Sequence, residues 1–142
     1  MELQAPALYQ VDSTIHSVDL TKDDYSIFVG NITNTFIRGS IELKKVDAGG
    51  APLAGATFGV WEAAANPTTD SPLQTVVSDG FGKIAFTNLL LGDYQIKEIE
   101  APAGYMLNDA IHDVTLTTAV TNFDIGNIVN EQLRGSIHLT KV

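Results

Sequence analysis

Apolar and polar residues alternate along much of this chain. At 41–45, Ile41, Leu43 and Lys45 share one face of an extended segment while Glu42 and Lys44 share the other, the period of two expected of a half-buried strand. Lys45 therefore points where the apolar residues point. Similar short runs recur at 57–62, 74–78, 83–87, 94–98, 114–117 and 123–130. Between them stand Asp47-Ala-Gly-Gly, Ser78-Asp-Gly, Leu91-Gly-Asp and Ala101-Pro-Ala-Gly, residues that favour turns through local hydrogen bonds or freedom at positive φ. Seven short strands with a turn about every ten residues predict an all-β, two-sheet sandwich. Glu62-Ala-Ala-Ala-Asn-Pro predicts one added helical turn, which Pro67 would stop.

The pattern also repeats. Displaced by 96 residues, 1–46 aligns with 97–142 without a gap, and 21 of the 46 pairs are identical. ELQAPALY at 2–9 matches EIEAPAGY at 98–105, GNITN at 30–34 matches GNIVN at 126–130, and RGSIELKKV at 38–46 matches RGSIHLTKV at 134–142. Self-similarity at such a period marks tandem modules. The expected organisation is the C-terminal part of one repeat at 1–36, a complete domain at 37–132, and the first strand of a further repeat at 133–142. Strands in 1–36 would lack a sandwich of their own, leaving them poorly ordered or paired with an exposed edge. One substitution stands out between the copies: Leu8 replaces Gly104, where glycine permits a tight turn.

Composition narrows the function. With 142 residues, 44% of them hydrophobic, the chain can bury a core of one ordinary domain. Seventeen acidic against eight basic side chains give a net charge of −9, which repels phosphate backbones and anionic lipid, so nucleic acid is not expected as a partner. No run reaches the roughly 18 apolar residues of a membrane helix, and the first residues have neither the basic nor the apolar stretch of an export signal. The absence of cysteine removes disulfides, cysteine–zinc sites and thiol nucleophiles together.

Three polar residues sit where a core is expected. Lys45 lies on the apolar face of the first strand, and Lys141 keeps a lysine there in the downstream copy although Thr140 replaces Lys44. Tyr94, Ile96 and Glu98 share a face, so Glu98 points inward as well. Asn130 shares the face of Ile128, whereas Asn127, an odd number of residues away, faces the other side. An inward lysine without a partner is costly. Taken singly, each of the three reads as a surface or capping residue, but three polar residues of complementary type on apolar faces of separate strands shift that balance.

The strings GSIELKKVD at 39–47, PLAGATF at 52–58, YQIKE at 94–98 running into APAGY at 101–105, and VNE at 129–131 resemble the B-type domains of collagen adhesins. These are also known as Cna-B or SpaA-type domains of Gram-positive surface adhesins and pilins. The resemblance covers about 38–131, and it implies a reverse-immunoglobulin, prealbumin-like sandwich. It further implies a spontaneous isopeptide bond between Lys45 and Asn130, with Glu98 as the catalytic acid. Glu2 and Asn34 match the acid and asparagine of the preceding module, and Lys141 matches the lysine of the following one. None of those three is expected to react within this chain.

On that resemblance the expected role is a stalk or spacer module of an extracellular, cell-wall-anchored protein, with anchor and signal outside these residues. Its partners would be adjacent repeats of the same polypeptide, with a host matrix protein reached through other domains. An adhesive module that itself binds a matrix protein or glycan is the alternative, although the short loops favour the spacer. An enzyme acting on an external substrate is not expected, because no nucleophile–base pair or metal set accompanies the fold signal. No metal or cofactor is expected either: His16 and His112 stand one per repeat, and no D-x-D-x-D-G loop is present. Trp61 and the tyrosines read as core residues.

Overall fold

A computed structural model of the chain describes residues 1–19, 21 and 26–142. Two compact units emerge, Met1–Arg38 and Gly39–Val142. Among the described residues seven strands form: β1 (Arg38–Asp47), β2 (Thr57–Glu62), β3 (Gln74–Val77), β4 (Lys83–Leu90), β5 (Gly92–Glu100), β6 (Ile111–Leu116) and β7 (Asn122–Asn130). They make a three-stranded sheet in the order β4-β1-β7 and a four-stranded sheet in the order β3-β2-β5-β6. β2 runs antiparallel to β3 and β5, and β5 antiparallel to β6, whereas β1 and β7 are parallel.

Alternation supplies the core. Ile41 and Leu43 of β1, Phe58 and Val60 of β2, Ile84 and Phe86 of β4, Tyr94 and Ile96 of β5, and Val114 and Leu116 of β6 are buried together. Trp61 is buried too, its indole N–H donating to the Asp70 carbonyl at 2.8 Å. Parity alone does not account for β7, where Phe123 and Ile125 pack on the core and so does Ile128. A bulge explains the switch. Between Glu42 and Lys44 of β1 the partners on β7 advance from Asp124 to Asn127, one residue more. Gly126 takes up the extra residue at φ +88°, and its N–H is held by Asp124 Oδ1 at 2.8 Å. From there Ile128 and Asn130 face inward while Asn127 is exposed.

One expectation differs from the structure. Residues 62–70 form hydrogen-bonded turns, not a helical turn: Ala65 N–H reaches the Glu62 carbonyl, and Asn66, Thr68 and Asp70 satisfy one another through side-chain bonds. These local bonds compete with the helix that the alanines favour. In the Met1–Arg38 unit no strand ladder forms among the described residues, and residues 20 and 22–25 of the upstream copy lie outside them. What remains is the Tyr9–Phe36 bridge, its rings stacked at 4.3 Å, flanked by bonds from Gln10 N–H to the Thr35 carbonyl and from Ile37 N–H to the Leu8 carbonyl. A strand needs neighbours to pair with, and residues 1–36 correspond in the repeat only to the stretch 97–132. Leu8 nevertheless keeps the positive φ, 70°, of its counterpart Gly104.

Candidate functional site

Lys45, Glu98, Asn130 and Ser78 are the buried polar or charged residues among those described. Ser78 is satisfied locally: its hydroxyl donates to the Leu53 carbonyl and accepts from Ala56 N–H. The other three are all at 1% exposure or less. β1 carries Lys45 inward beside Ile128, its partner across the parallel ladder, and the ammonium donates to the carbonyls of Ile128 and Val46. Asn130 lies two residues beyond Ile128 on the same face of β7. Its side-chain amide donates to Glu98 Oε1 at 2.8 Å and Oε2 at 3.0 Å. Glu98 arrives from the opposite sheet, on β5, in line with Tyr94 and Ile96.

The surroundings push both ionisable groups towards neutrality. Burial lowers the Lys45 pKa, against the opposing influence of Glu98. Burial raises that of Glu98, with hydrogen bonds from Asn108 N–H and the Asn130 amide, and the charge of Lys45, pulling the other way. Asn130 Oδ1 has no hydrogen-bond partner among the described residues although it is buried. A buried acceptor left without a donor is costly, which marks Asn130 Oδ1 as the unsatisfied atom of the cluster.

Two residues that support the site were not singled out by sequence. Gly82, at φ +74°, brings its carbonyl within 2.7 Å of Lys45 N–H, and a Cβ there would lie 2.2 Å from the Lys45 carbonyl oxygen. Gly82→Ala is expected to displace β1 at Lys45 and to cost roughly 2–4 kcal/mol, read from the denaturant midpoint. Asn108, in the β5–β6 connection, donates its N–H to Glu98 Oε2 at 2.7 Å and its side-chain amide to the Val129 carbonyl at 3.0 Å. Its signal was available in the repeat, since an Asx residue, Asp12, occupies the same place upstream.

The Met1–Arg38 unit holds a partial copy of the arrangement. Asn34 donates to both Glu2 carboxylate oxygens, at 2.9 and 3.0 Å, and Asp12 N–H donates to Glu2 Oε2 at 2.8 Å. Glu2 and Asn34 are half-buried. Lys141 is exposed, as are Ile137 and Leu139, whose counterparts Ile41 and Leu43 are buried.

Residues 39–128 match the family described as the SpaA prealbumin-like fold domain. The chain belongs to this family. The trypsin-resistant surface T6 protein of Streptococcus pyogenes serotype M6 is 36% identical to this SpaA domain over 76 residues, which are 53% of this chain and 13% of that protein. BcpA, the major pilin subunit of Bacillus cereus, superposes with a TM-score of 0.61 at 27% identity, over 70% of this chain and 32% of that one. The Bacillus anthracis TIE protein shares the fold at a TM-score of 0.73 and 22% identity, over 92% of this chain and 24% of the other. The chain thus spans at most about a third of the length of these relatives.

Proposed function

We propose that this SpaA domain is a load-bearing stalk module of a Gram-positive surface pilin or adhesin, locked by a bond between Lys45 and Asn130 that it forms on itself. The observation that carries the reading is the burial of an amine, a carboxyl and a primary amide together, each on a different strand, against an apolar core. Similarity to a pilin subunit and to a surface protein supports the setting.

The chemistry follows from the shifted protonation states. Neutral Lys45 has a free lone pair on Nζ and attacks Cγ of Asn130. Glu98, kept neutral by burial, donates to the amide oxygen as negative charge develops there, then passes a proton to Nδ2, against which it already sits at 2.8 Å. The Cγ–Nδ2 bond breaks, ammonia leaves, the Nζ–Cγ amide remains, and the extra proton from Nζ restores Glu98. Holding the groups in one core supplies the effective concentration that a lysine and an asparagine in solution lack. Each chain reacts once, so this is maturation and not turnover.

Intact mass of the denatured chain tests the bond. A value about 17 Da below the sequence mass is expected, the loss of one ammonia, and the full mass is expected for Lys45→Ala. A wild-type chain at full mass overturns the crosslink. The adhesive alternative gains nothing from Trp61, which is buried and presents no stacking face to a glycan.

A further inference from the structure

Glu98 and Asn130 stand on different sheets. Ladder hydrogen bonds fix neighbours within a sheet, but the spacing between facing sheets depends on side-chain packing, which tolerates small slips. On the reading that Lys45, Glu98 and Asn130 crosslink, we propose that Asn108 is a positioning residue for that step: its backbone N–H holds the Glu98 carboxyl while its side-chain amide ties the same loop to the Val129 carbonyl beside Asn130.

The geometry needs an asparagine. Asn108 Oδ1 accepts the Ala110 N–H at 3.1 Å, an Asx turn that fixes the loop, and Nδ2 on the same short side chain is then free to reach the Val129 carbonyl. One residue thereby spans from the β5 carboxyl to the β7 backbone, across the gap in which the reaction takes place. The upstream copy separates these functions. Asp12 retains the N–H bond to Glu2 and the turn bond from Thr14 N–H at 2.9 Å. A carboxylate has no N–H to offer the carbonyl of Thr33, which stands where Val129 does.

The test compares chemically synthesised, unreacted wild-type chain with Asn108→Asp and Asn108→Ala. Each is diluted from guanidinium into buffers from acid to alkaline pH. Folding is followed by Trp61 fluorescence and crosslinking by intact mass in acid-quenched samples. Once folded, both variants are expected to react at least about tenfold more slowly, the cost of misplaced reacting groups. Lys45 from β1 is the titratable group facing Glu98, with Asn130 facing it from β7 and Phe58 beside it on β2. A second carboxylate near this pair holds its protons more tightly, so Asn108→Asp is also expected to displace the pH–rate profile upward, and Asn108→Ala is not. A purely structural role would alter folding and leave both the rate in folded chain and the profile unchanged, which overturns the proposal. Asn108→Ala carries the rate comparison if Asn108→Asp fails to fold. Wild-type chain that folds without losing ammonia overturns the crosslinking reading itself, a result distinct from variants that keep pace with a reacting wild type.

Discussion

Glu98→Ala is expected to leave the chain at its full mass and to lower its melting temperature by roughly 20–30 °C. Without the acid, nothing polarises the Asn130 carbonyl or protonates the departing nitrogen, so the bond does not form. The proposed crosslink would close a loop of about 86 residues, and the chain-entropy argument for cross-links assigns such a loop roughly 4–5 kcal/mol. Lys45, left unreacted, stays buried, and desolvation keeps its pKa below the ordinary lysine value. The unfolded chain then binds a proton that the native chain sheds. Stability of this variant should therefore rise with pH until the ordinary lysine pKa of about 10.4 is reached. Glu98→Gln keeps the shape but offers no transferable acid proton, and it too should retain full mass. Calorimetry beside intact mass checks all three; a Glu98→Ala chain about 17 Da light removes Glu98 from the mechanism.

Under load the difference should be larger still. β1 and β7 are adjacent and parallel, so opposed pulling at the two ends of the domain shears one strand along the other. With Lys45 joined to Asn130, tension passes from the first strand directly into the last and the residues between them stay folded. Lys45→Ala leaves only the ladder, and its rupture should release about 86 residues, roughly 280–310 Å of extended chain. Single-molecule stretching should show that step in the variant and not in the wild type. An equal step in both would mean that the tie does not carry the load.

Much of the sandwich could be read from local pattern, because alternation at Ile41, Leu43 and Lys45 or at Tyr94, Ile96 and Glu98 reports which side is buried, whatever the neighbouring strand. The pairing of β1 with β7 could not, since it joins the two ends of the domain and depends on global closure. Nor was the β7 bulge visible: Gly126 reads as a weak spot in a strand, yet it reverses the parity that brings both Ile125 and Ile128 towards the core. Nothing in the local pattern marks Asn108, because Glu98 and Val129, its partners across the site, lie 10 and 21 residues away. Leu8 shows the converse, a backbone shape set by its surroundings where the side chain argues against it.

If Lys45 and Asn130 join as proposed, their placement on the first and last strands also sets a clock. A chain leaving the ribosome or a secretion pore presents Lys45 well before Asn130. At synthesis rates of ~5–20 residues per second the interval is roughly 4–17 s. Throughout it the nucleophile has no electrophile, and the polypeptide stays linear and can be threaded. Closure waits for the final strand to emerge, so each domain becomes irreversibly locked only after its passage is complete.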